Sequence, residues 1–128
     1  MVMRGVVLAS VEGQGTDLRI DTEVGPVQGV WRGDSPLNSG EALDVELEFP
    51  NARAWHDIAS AASTNATRII SSAPLFGTVV ELFDDGVLLV KIGGSIVQIE
   101  LDNGPSLDPA GKTVAISPDD LEIYPTGV

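Results

Sequence analysis

Glycine and proline cut this chain into short segments, which favours strands over long helices. Fourteen Gly and eight Pro interrupt 128 residues, and each supplies or forces a turn that a continuous helix does not hold. The clearest segment is 42–49, where Leu43, Val45, Leu47 and Phe49 alternate with Asp44, Glu46 and Glu48. Strict period two puts one face inside and one in water, so this is a strand, and Pro50 ends it. Segments 5–11, 16–21 and 27–31 read as strands on the same grounds, with turns at 12–15 and at Gly25-Pro26. In the second half, 76–83, 87–92, 95–101 and 112–117 read as strands, and 121–124 as a short final strand or extended tail. Asp84-Asp85-Gly86 is a hairpin turn, because Asp and Gly tolerate positive φ.

Segment 51–67 has another period. Trp55, Ile58, Ala59 and Ala62 fall at i, i+3, i+4 and i+7, the stripe of a helix with one buried side. Pro50 or Asn51 is its expected start, and the polar cluster Ser63-Thr64-Asn65 its expected end.

The halves flanking this helix repeat. Gly5-Val6-Val7-Leu8 matches Gly77-Thr78-Val79-Val80, and Gly25-Pro26-Val27-Gln28 matches Gly94-Ser95-Ile96-Val97-Gln98 with a small shift. Gly40 falls on Gly111, Leu43 on Val114 and Val45 on Ile116. Order, loop positions and polar phase agree, as they do in a duplicated unit. So small a sheet must protect its edges, and closure into a barrel does that.

The second half resembles a known family. Gly77-Thr78-Val79-Val80, then Val87-Leu88-Leu89-Val90-Lys91-Ile92-Gly93-Gly94, then Gly111-Lys112-Thr113-Val114-Ala115-Ile116-Ser117-Pro118-Asp119-Asp120-Leu121-Glu122-Ile123 look like a TOBE-type barrel. That family often ends in a strand, a Pro-acidic-acidic turn and an apolar strand. It includes molybdate-binding Mop modules and accessory domains of transport ATPases. The resemblance covers residues 75–124 and implies architecture more than ligand. Mop modules hold oxyanions where barrels meet, using a Ser-Ala-Arg-Asn-like opening and a Lys-Ala-Ser-like strand. Here Ser63-Thr64-Asn65-Ala66-Thr67-Arg68 matches the opening loosely, and Ala115-Ile116-Ser117 lacks the lysine. The expected fold is therefore mostly β: two tandem small barrel-like (OB/TOBE-like) units joined by a short helix. The first unit is 1–50, the connecting helix and linker 51–67, and the second unit 68–128.

Composition narrows the chemistry. No cysteine is present, so disulfides, thiolate metal sites and cysteine nucleophiles are excluded. The net charge is −12, and each half (1–64 and 65–128) carries −6. The acidity thus belongs to the repeated unit and reads as a solvated face. Seven scattered bases and six aromatics do not make a basic groove with stacking platforms, which argues against nucleic acid as a partner. The longest clean aliphatic run, Val87-Leu88-Leu89-Val90, is far short of the roughly 20 residues of a spanning helix. The N-terminal apolar run is too short for a secretory signal, so the expected location is cytoplasmic, with no membrane partner.

No catalytic constellation emerges. His56 is the one histidine, and its neighbour Asp57 points elsewhere on a helix. Asp84-Asp85 and Asp119-Asp120 suit turns, where Asp bonds its own backbone, and neither has calcium-loop spacing. Gly13-Gln14-Gly15 and Gly93-Gly94 lack the phosphate-loop pattern. Arg32-Gly33-Asp34 reads as a loop, and Asn65-Ala66-Thr67 as a glycosylation sequon relevant only to a secreted chain. No metal or cofactor is expected. The run Val87, Leu88, Leu89, Val90 lacks alternation, so both its faces are expected to be covered. One face fills the barrel; the other meets the first barrel, the helix with Trp55 and Ile58, or a second chain. These six residues are the candidate interface. The expected function is a non-catalytic protein-interaction or self-assembly module, whose partner is another protein or, in a homodimer, a second copy of itself. The alternative is small-ligand or oxyanion binding at the barrel–barrel seam.

Overall fold

A computed structural model describes residues 3–63 and 74–126. The first four strands are β1 (Met3–Val7), β2 (Asp17–Thr22), β3 (Gly25–Trp31) and β4 (Ala42–Glu48). A two-residue strand, β5 (Arg53–Ala54), precedes the helix α1 (Trp55–Ser63). The second half holds β6 (Leu75–Leu82), β7 (Val87–Ile92), β8 (Ser95–Asn103), β9 (Thr113–Ile116) and β10 (Glu122–Pro125). The fold is mostly β, with a closed five-stranded barrel, β1-β2-β3-β10-β4, and a second five-stranded sheet, β5-β8-β7-β6-β9. That sheet curls into a half-barrel. One contiguous apolar core runs through both.

The repeat is visible in the pairing. Val7 faces Ile20 as Val79 faces Val90, and Met3 faces Val45 as Leu75 faces Ile116. Gly40 and Gly111 both take positive φ, 88° and 84°. Their amides donate to equivalent carbonyls, Val7 and Val79, each at 2.8 Å. Glycine is needed at this turn because a Cβ is disfavoured at that φ. Gly5 and Gly77 serve packing instead. An added Cβ at Gly5 would lie 3.0 Å from Ile20 Cδ1; one at Gly77 would press on the Val90 methyl and lie 2.9 Å from the Lys91 carbonyl.

Each sheet takes its fifth strand from a connector leading out of the other. β10 runs parallel to β3, with Glu122 opposite Val30, and antiparallel to β4, with Ile123 opposite Leu47. The terminal strand read as part of the second unit therefore closes the first barrel, and Leu121 and Ile123 are buried in it. In the opposite direction, β5 leaves the first barrel and pairs parallel with β8, with Arg53 opposite Leu101. This corrects the helix start. Residues 53–54 are strand, not helix, because the β8 edge offers their backbone partners. The expected helix end, from residue 64 on, lies outside the described residues.

The exchanged connectors are pinned where they pass. The Arg53 guanidinium donates to both carboxylate oxygens of Asp120, to the Asn51 carbonyl at 2.7 Å and to the Ser117 carbonyl at 3.3 Å. The Asn51 amide adds a bond to Asp120 at 3.1 Å. The two side chains are only 16% and 15% exposed, against 68% and 45% for the Arg4–Asp44 pair. Shielding and bidentate geometry make the first pair matter; the exposed pair contributes little. Burial raises the Asp120 carboxyl, but the bonds from Arg53 and Asn51 and the guanidinium charge outweigh it and hold the group below its ordinary value. Elsewhere the tips of equivalent hairpins meet: the Gly94 amide, at the β7–β8 turn, donates to the Glu23 carboxylate at the β2–β3 turn.

The half-barrel differs from the barrel at one place. β4 pairs with β10, but β9 is not joined to β5. α1 packs against β9, β8 and β5 instead, with Ile58 buried. A helix fits here because β5 is too short to bridge.

Two outcomes are expected. Gly77→Ala should lower the unfolding free energy by about 1–3 kcal/mol through overpacking, and Gly5→Ala by less, because its approaches to Ile20 are no shorter than 3.0 Å and no backbone atom is among them. Urea titration of both variants measures this. Asp120→Asn should cost about 2 kcal/mol at neutral pH. Because the folded-state value is depressed, that difference is fully present above the ordinary 3.8 and shrinks as pH falls through the folded value. Unfolding midpoints for both proteins across the acid range give the curve; a constant gap at all pH values contradicts it.

Candidate functional site

The alternation of β4 and β8 builds a seam where the two sheets come together. β4 presents Glu46 and Glu48 outward and buries Leu47 and Phe49. β8 presents Ile96, Gln98 and Glu100 outward and buries Val97 and Ile99. Between them is an open groove of about 470 Å³, lined among others by Glu46, Glu48, Phe49, Val87, Ile96 and Glu100. The seam is therefore open at this position.

Its field is negative. Glu48 lies opposite Glu122 on β10, and Tyr124 lies opposite Glu46. Arg32 holds Glu122 at 2.5 Å. Partial desolvation, then the negative charges of Glu122 and Glu48, push the Tyr124 hydroxyl above its ordinary value. Among the described residues no lysine or arginine lines the groove. Among the described residues no three acidic or histidine side chains are grouped to hold a metal ion.

The candidate interface residues separate by face. Leu88 and Val90 are completely buried inside the half-barrel, and Ile58 is buried beneath α1. They are core. Trp55 is half-buried and packs on the same core. Val87 and Leu89 point outward and stay half-exposed. So the lack of alternation in this strand means one filled face and one partly open apolar face. Val87 also reaches the groove. On the outer face Leu89 lies opposite Gln98 on one side and Glu81 on the other, with Lys91 two residues along β7 and opposite Ile96. Elsewhere on this side of the sheet Phe76 is 56%, Val80 45% and Ile96 39% exposed. Val80 continues the outward alternation of β6, and the β6–β7 register shift leaves Glu81 outward as well.

The first repeat supplies a control for this face. By pairing, Leu89 opposite Gln98 corresponds to Arg19 opposite Gln28, and Val87 opposite Glu100 to Asp17 opposite Val30. The same fold thus carries charged residues at positions where the second repeat is apolar. Burial in the chain does not require Val87 and Leu89 to be apolar.

Other sequence candidates fall into structural roles. Gly86 takes φ 88° in the Asp84-Asp85-Gly86 hairpin, and Asp85 accepts from the Val87 amide at 3.2 Å. Asp120 does more than bond its own turn, since it holds Arg53. No sequence signal marked that pair, because the partners are 67 residues apart. His56 is exposed on α1. Residues 64–68 of the loosely Mop-like opening, and with them the Asn65 sequon, lie outside the described residues. Among the described residues no helix is long and apolar enough to cross a membrane. Compared with protein-family models, curated proteins and solved structures, the chain has no match.

Proposed function

We propose that this chain is a non-catalytic interaction module of the small-barrel type, which binds a protein partner or assembles with itself through the outer face of the second sheet. The observation behind this reading is the contrast between repeats: Val87 and Leu89 stand where the first repeat has Asp17 and Arg19. Apolar surface that the fold does not need is the usual mark of a contact surface, and Phe76, Val80 and Ile96 add exposed apolar area to the same side of the sheet, interspersed with Glu81, Lys91 and Gln98. A TOBE-type relationship remains part of the same proposal.

Phe76→Ser with Val80→Thr tests it, since both side chains are exposed and outside the core. If the module self-assembles, light scattering gives a dimer mass for the parent and a monomer mass for the variant. If it binds another protein, that protein is recovered by the parent and lost by the variant. A parent that is monomeric and retains the same partners as the variant sinks the reading.

Oxyanion capture at the seam is the second reading. The open groove favours it and the carboxylates of Glu46, Glu48 and Glu100 oppose it. Titration calorimetry with molybdate, tungstate and sulfate is expected to give no heat beyond dilution. Saturable heat with any of them would assign the seam to a small anion instead.

A further inference from the structure

The outer face of the second sheet carries two opposite charges with no ion-pair partner among the described residues. Leu89 lies at the centre of β7, with Glu81 opposite on β6 and Gln98 opposite on β8. Lys91 is two residues along β7, between Thr78 and Ile96 on the neighbouring strands. Glu81 and Lys91 are both exposed, and neither joins the ion pairs at Arg4, Arg32 and Arg53. Thr78, Val80, Ile96 and Gln98 are uncharged. The surface around Leu89 is therefore neutral, in a chain that carries −12. The next outward charge along β8 is Glu100, opposite Val87.

A neutral island on a strongly acidic chain narrows the choice of occupant. A basic partner is drawn to the acidic remainder, and an acidic partner is repelled by it. Two copies of this chain repel wherever acids meet acids, and they approach at least cost through this face. Resting on the interaction reading above, we infer that the occupant is a second copy of this chain, docked face to face across a two-fold axis over Leu89. A two-fold interface is self-complementary: where one residue meets another, the reverse contact forms as well. Lys91 lies about 7 Å from Leu89 along the strand, and Glu81 about 5 Å across it. An axis running diagonally between these directions exchanges them. Lys91 of each copy then lies over Glu81 of the other, and Leu89 lies on its own copy. The strands cross near 90°, the orthogonal mode of sheet packing. The other diagonal sets Lys91 over Gln98 and leaves Glu81 uncompensated, so charge selects the first. The same axis brings Glu100 near its own copy at the rim, a repulsion built into the arrangement. The first repeat does not offer this contact: Arg19 opposite Gln28 stands for Leu89, and Asp21 opposite Pro26 for Lys91. Arg19 on the axis would meet its own charge.

Sedimentation equilibrium of the intact chain over a concentration series reads the mass, and a dimer is expected. Lys91→Glu or Glu81→Lys alone should weaken it by roughly tenfold, because each sets like charges together at both ends of the contact. The two changes in one chain should restore the parental affinity. Leu89→Arg, the residue type the first repeat carries there, should give a monomer with an unchanged far-UV circular dichroism spectrum. Glu100→Gln should tighten the dimer. A parent still monomeric at about 1 mM, a double variant no tighter than either single one, or a dimer that survives Leu89→Arg would each overturn the inference. A monomeric parent that binds another protein, and loses it with Phe76→Ser and Val80→Thr, also overturns it but leaves the interaction reading standing. A dimer that survives both Leu89→Arg and that pair forms elsewhere and counts against both.

Discussion

The barrel of the first repeat closes only when β10 arrives between β3 and β4, and β10 is the last strand of the chain. Ile123 of β10 and Leu121 just before it are almost fully buried, each worth about 1.5–3 kcal/mol of apolar burial. The connector that delivers β10 passes the connector that delivers β5, and Arg53 and Asp120 hold the two together. Neither sheet is complete from its own stretch of sequence. Closure therefore depends on contacts between residues far apart in the chain, the kind that form late and together. The two repeats are accordingly one cooperative core rather than two beads on a string, which agrees with the single apolar cluster running through both.

Duplication with exchange also creates the features on which function is argued. Crossing the connectors brings β4 of one sheet beside β8 of the other and leaves an open, acid-lined seam. The short β5 covers only the end of β8, and among the described residues no other strand pairs with that edge. Meanwhile the repeats have diverged on their outer faces: Asp17 and Arg19 stand where the second repeat has Val87 and Leu89, and Val30 stands where it has Glu100.

Much of the fold was legible from local pattern. Period two marked β2 and β4, and apolar segments bounded by turn residues marked six more strands to within a few residues, with β1 ending at Val7 rather than Val11. Gly40 and Gly111 marked equivalent turns because positive φ has few occupants. β7 was legible as a strand but its two faces were not, since an unbroken apolar run looks the same whether one or both sides are covered. β5 was missed because Arg53 and Ala54 carry no alternation, and the helical stripe beginning at Trp55 extended naturally backwards over them.

By itself, then, the sequence determined what most segments would become, β5 excepted, and that the segments come in two matching sets. Alternation, turn residues and helical spacing act over a few residues, and those are enough. Which sheet receives β5 and β10, that Asp120 meets Arg53, that Leu88 is core while Leu89 is surface, and that the seam stays open were decided only by the tertiary structure. Each depends on which backbone edge or charge lies alongside a residue distant in the chain. Local pattern carries no information about that neighbour until the chain has closed on itself.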